Sequence, residues 1–530
     1  MKMMYNNDTF EFYVIDQDDM KLDFVKNTKR NVIASFVNKA VAMLFPFFRK
    51  TLFMWVLGPG YLGLNGLLYS ILGMLMLAEL GFGTAIVCYM FKPVADDDKK
   101  RLCAYLRFFR TVYRCVGSTI FVAGLCLLPF LRRLIHGEVP ADVNLHLVFL
   151  LHLLNTSASY FLFAYRGSIL GAYHRNDVTD YLRTITSVLE FGTIALVLYF
   201  THNYYHYVLV TILFTLVNNL MLVYATHRLF PDVVPEGELP KEEVKRVLND
   251  VKAIFMHKIG AVVSHSFDNV VISSFLGLVA VAAYNNYHCI SLAVAGIPSA
   301  ICYSMMAGFG NKIHTESKEE NFKLLMKVNR LLICIIIWCT AMLIALYQPF
   351  MVIWTRGDEG LARHFMTPLL LVIWFYEKQS RETLRMFKNA ASLWQQDRWK
   401  AVIASLANLA LNILFINVLA EEYKLDGVIL ATLLSDIVIQ MPWESYAVFS
   451  GFFGKEEARR YWIAQCGYAA LALVIAVIAW NAVALVPIDG VTGFLVKGTV
   501  SATVSIVLLL VLFHADVIEL WNTLRKKQLD

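Results

Sequence analysis

Apolar residues in this chain run in long blocks separated by short polar stretches, not in the strict alternation of a half-buried strand. Windows of about 20 apolar residues, enough helix to cross a ~30 Å hydrocarbon layer, centre near Val41, Gly73, Phe121, Ala158, Glu190, Leu213, Val262, Ala295, Ile337, Phe375, Leu411, Leu433, Leu473 and Ser505. The pattern predicts an all-α integral membrane protein with about 14 transmembrane helices. A membrane β-barrel is disfavoured, because its strands need only ~10 alternating residues each.

One stretch of the pattern occurs twice. Residues 31–58 reappear without a gap at 250–277, an offset of 250 − 31 = 219. Val32, Ala34, Phe36, Lys39, Ala42, Phe48, Leu57 and Gly58 fall on Val251, Ala253, Phe255, Lys258, Ala261, Phe267, Leu276 and Gly277, while Arg49 falls on Asp268. The offset holds further on, where YMFKPVADDDKK (89–100) aligns with GFGNKIHTESKE (308–319). Six spans lie between the starts of the two copies, so both enter the membrane in the same direction. The halves are expected to be parallel six-helix lobes related by a pseudo-two-fold along the membrane normal, with two C-terminal helices added.

Charge placement orients this scheme. Lysine and arginine gather in every second connection, as in Lys26, Lys29 and Arg30, then Lys99, Lys100 and Arg101, then Lys241, Lys245 and Arg246. The positive-inside rule then puts both termini in the cytoplasm, which agrees with an even number of spans. The predicted organisation is a cytoplasmic arm (1–30), an N-lobe (31–230), a cytoplasmic linker with an amphipathic helix (231–252), a C-lobe (253–454), two further spans (455–515) and a cytoplasmic tail (516–530). The first 30 residues lack the apolar core and cleavage site of a secretory signal, so no processing is expected. The net charge of +6 is spread over these connections, and nothing points to nucleic acid. Nine dispersed cysteines without a CxxC pair read as packing residues.

Ionisable groups inside the spans are the candidate chemistry. Each costs about 2.5–3.5 kcal/mol near the bilayer centre on insertion scales, so Lys39, Arg49, Lys258 and Asp268 are not all expected to face lipid. At 1.5 Å per residue, Lys39 lies ~12 Å and Arg49 ~27 Å from the start of the first span. Lys39 and Lys258 read as a two-fold-related basic site for a phosphate-bearing substrate, or else as lysines snorkelling to headgroups. Arg49 and Asp268 read as an ion pair gating the outer side, or as groups with separate structural partners. Arg166 is a further base deep enough to line the first lobe's cavity. Glu79 and Glu190 are candidates for proton coupling, whereas Asp268, Asn408, Asn412, Thr432 and Asp436 would offer oxygen ligands to a sodium ion if spans 7, 11 and 12 meet. Span 10 carries Glu377, Lys378, Arg381, Glu382 and Arg385, whose i, i+4 spacing predicts Glu377–Arg381 and Lys378–Glu382 pairs, chiefly structural. Arg107, Arg110 and Arg114 form a basic stripe suited to anionic headgroups. No confident metal-ligand motif is found, and no GxxxxGK[ST], HExxH or GxSxG pattern occurs.

Three stretches carry a resemblance. These are LGPGYLGLNGLLYSILGMLMLAELGFGTAIVCYM (57–90), DNVVISSFLGLVAVAAYNNY (268–287) and ANLALNILFINVLAEEYKLDGVILATLLS (407–435). In order and spacing they resemble the polysaccharide and O-antigen flippases (Wzx type) of the multidrug/oligosaccharidyl-lipid/polysaccharide (MOP) exporter superfamily, related to lipid II flippases and MATE exporters. The resemblance implies a V-shaped cavity between rocking lobes and a substrate of undecaprenyl-diphosphate-linked oligosaccharide, turned over in the bacterial cytoplasmic membrane for capsule, O-antigen or exopolysaccharide synthesis. It also implies a basic cavity for the diphosphate, for which Lys39, Arg49, Lys258 and Arg166 are the matching positions, and partners among membrane lipids, a polysaccharide polymerase and chain-length machinery. The implied protein is a transporter, not an enzyme, without a cofactor beyond a coupling H+ or Na+. A cation-coupled multidrug exporter of the same superfamily is the alternative. A polytopic glycosyltransferase or polymerase fits less well, since neither outer loop, roughly 132–144 or 355–363, is long enough for a catalytic domain.

Overall fold

The repeat is written into the backbone. In the computed structural model, α1 (Phe24–Val56) and α9 (Lys241–Leu276) are each followed by a glycine with positive φ, 105° at Gly58 and 86° at Gly277. The Gly58 N–H donates to the Phe53 carbonyl at 3.3 Å and the Gly277 N–H to the Ile272 carbonyl at 3.1 Å. The two acceptors are 272 − 53 = 219 residues apart, the same offset as in the sequence. These bonds satisfy carbonyls that the last helical turn leaves without partners, and glycine enters the left-handed region without the usual side-chain penalty. The chain then starts α2 (Pro59–Leu75) or α10 (Leu278–Thr315) at once.

The structure describes residues 24–79, 82–162, 164–393, 396 and 399–514; side chains at several positions of α1, α3, α9 and α10 are not described. Residues 1–23 of the expected arm and all of the expected tail, 516–530, lie outside these residues, and α1 begins within the arm, at Phe24. After α3 (Phe82–Ala95), the helices α4 (Lys99–Leu127) and α11 (Lys318–Trp354) again begin 318 − 99 = 219 residues apart. Asp98 caps α4 by accepting the Arg101 N–H at 3.0 Å, and Ser317 caps α11 by accepting the Glu320 N–H at 3.3 Å. The remaining counterparts drift by a few residues: α5 (Leu145–Phe161) with α12 (Met366–Ser380), α7 (Asn176–Thr201) with α14 (Lys400–Val418), and α8 (Tyr204–Leu229) with α15 (Lys424–Ser435). Short helices α6 (Gly167–Ala172), α13 (Glu382–Ala390) and α16 (Met441–Gly451) continue broken spans, and α17 (Lys455–Ala484) and α18 (Gly490–Leu512) complete the chain.

Every predicted span centre lies on a helix. By length and apolarity alone, nine stretches among the described residues suffice to cross a membrane, or ten with the pair α5 and α6, bent by 44°. Several other centres fall on broken helices. A 3-10 turn at Met76–Glu79 follows α2, and α12 stops before Arg381, where the Ser380 carbonyl accepts from the Gln465 side chain of α17 at 3.3 Å. A π-helical turn at Asp436–Gln440 joins α15 to α16.

Two packing units result. One comprises residues 1–52, 75–129 and 144–255, the other 53–74, 130–143 and 256–530. The second therefore takes α2 and one connection out of the first half. Close approach explains the exchange: a Cβ on Gly63 of α2 would sit 1.8 Å from the Leu278 carbonyl oxygen. The His136 N–H donates to the Ser273 carbonyl at 2.8 Å, the Ser274 hydroxyl to the Leu134 carbonyl at 3.3 Å, and the Trp55 indole to the Trp354 carbonyl at 3.1 Å.

The linker is held within the first unit. Lys99 Nζ lies 2.9 Å from Asp232, Arg107 Nη1 donates to the Gly237 carbonyl at 2.9 Å, and Arg101 pairs with Glu243. Arg107, one of the basic stripe, thus binds the linker. The amphipathic segment is the first part of α9 itself, with Val247 and Val251 buried and Leu248 exposed.

Candidate substrate and coupling sites

In the first unit the acidic groups have found partners. Glu79, on the 3-10 turn after α2, accepts from the Tyr113 hydroxyl of α4 at 2.8 Å and from the Tyr160 hydroxyl of α5. Two phenols stabilise a carboxylate without neutralising its charge. Glu190 of α7 lies 3.6 Å from Arg49 of α1, both largely shielded. The repeat matched Arg49 with Asp268 as a gate; the ion pair between Arg49 and Glu190 lies within the first unit.

The bases of the same unit differ in what they have left to offer. Lys39 is exposed on α1, beside Asn38, whose amide binds the Asp180 carbonyl at 3.2 Å and Thr184 at 3.1 Å. Arg166 stands at the bend between α5 and α6, and its Nε is buried with no hydrogen-bond partner among the described residues. The Lys258 side chain lies outside the described residues, so its pairing with Lys39 rests on the sequence alone.

The second unit holds a closed polar shell around Asp268. Its Oδ1 accepts from the Asn412 amide at 2.7 Å; its Oδ2 accepts from the Tyr284 hydroxyl at 3.0 Å and the Thr432 hydroxyl at 3.3 Å. The Asn412 amide also donates to Asn408 Oδ1 at 2.9 Å, and the Asn408 amide to Thr432 Oγ1 at 2.8 Å. Asp268, Asn408 and Asn412 are almost completely buried, and Asn412 Oδ1 has no hydrogen-bond partner among the described residues. Helices α9, α14 and α15 thus meet here, as the oxygen-ligand reading required. Oxygens of one carboxylate, two amides and one hydroxyl make a hard donor set, which fits a small alkali cation. No cation of the chain pairs with Asp268 among the described residues.

Asp436 belongs to another cluster. Its Oδ2 accepts from the Trp374 indole at 3.1 Å and its Oδ1 from the Gln440 amide, so it is not a direct member of the shell. Below it Arg381, at the break in span 10, bridges Glu377 at 2.8 Å and Glu444 at 2.5 Å, and Lys400 reaches Glu444 at 2.8 Å. The expected Glu377–Arg381 pair is present. Lys378, expected to pair with Glu382, instead places Nζ 4.5 Å from the Trp374 ring centroid, and Glu382 turns to Arg385. Sequence reasoning missed Tyr284 as a third donor to Asp268. Its place seven residues after Gly277 puts it on the buried face of α10, but only the α9–α10 reversal aims it back at α9.

A family model described as polysaccharide biosynthesis protein matches residues 28–306. No curated protein matches the sequence. Among solved structures, a lipid II flippase MurJ in an inward closed conformation is similar with a TM-score of 0.65 and 17% identity, over 92% of this chain and 99% of that one. An inward-facing multidrug resistance MATE family transporter of the MOP superfamily is similar with a TM-score of 0.55 and 14% identity, over 78% and 98%. A MATE in the bent conformation has a TM-score of 0.50 and 14% identity, over 84% and 97%. The fold is that of MOP flippases and transporters, and by the family match over residues 28–306 of 530 the chain belongs to the polysaccharide biosynthesis protein family.

Proposed function

We propose that this protein turns a lipid-linked oligosaccharide from the inner to the outer leaflet of the bacterial cytoplasmic membrane by alternating access, for surface polysaccharide synthesis. The family match, on a fold shared with a lipid II flippase, is the observation that carries this reading. The substrate class is an undecaprenyl-diphosphate-linked glycan, with both termini of the protein in the cytoplasm and a polymerase and chain-length machinery acting after it. Arg166, with its unpartnered Nε, and exposed Lys39 are the bases we assign to the diphosphate. Lys258 joins them by the repeat, and Arg49 contributes through its pair with Glu190.

Coupling is placed at the Asp268 shell. A buried carboxylate bonded only by neutral donors is costly to keep ionised, and a bound Na+ or a proton removes that cost. Asp268, Asn408, Asn412 and Thr432 would hold the cation, with Asp436 as a neighbouring charge and Glu79 as the acidic candidate in the other unit. Such a site makes one conformational state depend on occupancy.

The deciding measurement uses proteoliposomes containing a labelled polyprenyl-diphosphate oligosaccharide. Protein should move label across the bilayer, faster with an inward Na+ or proton gradient, and R166Q or K39Q should slow it about tenfold, as loss of one charge-assisted contact implies. Absence of lipid movement combined with export of an amphipathic cation would establish the multidrug reading instead.

A further inference from the structure

At one end of the second unit, the connection 130–143 meets the α9–α10 reversal and the segments before α12 and α15. Between them lies a pocket of about 250 Å³, lined by His136, Phe275, Leu276, Arg363, Glu421 and Leu425 among others. Arg363 is fixed at its backbone. Its N–H donates to the Tyr287 hydroxyl at 3.1 Å, and its carbonyl accepts from the Gln348 amide at 2.5 Å. One guanidinium nitrogen, Nη2, donates to the Glu422 carbonyl at 2.9 Å, while Nε is buried without a hydrogen-bond partner among the described residues.

The acids around the pocket are already engaged. Glu421 pairs with Lys424; Asp426 accepts from the Thr367 hydroxyl at 2.6 Å and lies 3.0 Å from His364 Nε2. His136 is held by its backbone N–H to Ser273, which leaves its exposed imidazole beside the cavity. The pocket thus sets Arg363 and His136 beside an apolar wall of Phe275 and Leu276, with Glu421, paired to Lys424, at its edge. A planar guanidinium with an unused N–H suits a carboxylate or a phosphate, which accept two parallel hydrogen bonds.

We propose that this pocket is an anion-binding site that takes a carboxylate or phosphate group carried on a sugar. The pocket shares no residue with the Asp268 shell. It rests on the transport reading only for the molecule that brings the anion, namely an acidic glycan reaching the end of the helices where 130–143 lies. Because His136 comes from the first half of the chain and Arg363 from the second, an occupied site ties the connection 130–143 to the later helices.

Calorimetric titration of the full-length protein in detergent tests this, with galacturonate and inorganic phosphate as probes and galactose as the neutral control. The expected result is one-site binding of either anion and none of galactose, with at least tenfold weakening by R363Q and several-fold weakening by H136A. D268N should bind the anion as the unchanged protein does, which keeps this result distinct from any failure of the transport reading. Carboxylate preference would point to a uronate and phosphate preference to a phosphorylated sugar, and both uphold the site. No binding of either anion, or equal affinity in folded R363Q and H136A, overturns the proposal.

Discussion

Arg381 and Glu444 form an ion pair in which neither side chain is more than 2% exposed, at the position where span 10 breaks. Glu444 also holds Lys400, and Arg381 also holds Glu377, so the pair is the centre of a four-residue chain of charges. Removing one member of a buried pair costs about 3–5 kcal/mol, because the other charge is left uncompensated. E444Q should lower the melting temperature of the detergent-solubilised protein more than E377Q, since it takes a carboxylate partner from both Arg381 and Lys400, where E377Q takes one from Arg381 alone. Fluorescence-detected size-exclusion after a heating series reads the ranking; equal melting for the two variants would deny that Glu444 is the hub.

At the Asp268 shell the prediction concerns a cation. Binding that favours the folded state stabilises it in proportion to ligand concentration. Raising NaCl at constant ionic strength with choline should raise the melting temperature of the unchanged protein, and D268N should abolish the increase while still folding. N412L should also remove the Na+ response, because it deletes the buried oxygen that has no partner. If D268N still responds to Na+ as the unchanged protein does, the coupling ion is bound elsewhere.

For Arg49 and Glu190, reversing one charge differs from exchanging both. R49E should cut lipid translocation and stability together, since it sets two carboxylates side by side between α1 and α7. The double variant R49E/E190R should recover most of the loss. Recovery by a D268R partner in place of E190R would restore the gate pairing that the repeat suggested.

Backbone approach supplies a further prediction. A methyl group at Gly63 would collide with the Leu278 carbonyl, whereas one at Gly58 meets nothing within 4 Å and suffers only from its positive φ. G63A should therefore reduce folded yield more strongly than G58A, whose cost is about 1–2 kcal/mol from backbone strain. The comparison separates packing from conformation at two positions five residues apart.

Helices were legible because runs of apolar side chains mark them along the chain. Their stops, the caps Asp98 and Ser317 and the glycines Gly58 and Gly277, came only with the structure. The face on which each charge emerges was not legible, and so Lys378 was matched to Glu382 when it lies over Trp374, and the pair between Arg49 and Glu190 went unread. Asp436 was grouped with the oxygen shell because it follows Thr432 by one turn, yet the π-helical turn that begins at Asp436 sets its carboxylate against Trp374. The transfer of α2 to the later helices was hidden for a similar reason. Gly63 permits a contact, but its partner, Leu278, stands over two hundred residues away.

The two glycine stops carry a consequence for how the halves have diverged. At Gly58 and Gly277 the hydrogen-bond donors, acceptors and chain reversal coincide residue for residue, while nine positions upstream one copy carries a base and the other an acid. Punctuation has been kept and vocabulary rewritten. A molecule assembled this way holds a common skeleton on which each half can acquire its own chemistry, one setting Arg49 against Glu190 and the other enclosing Asp268 among neutral donors.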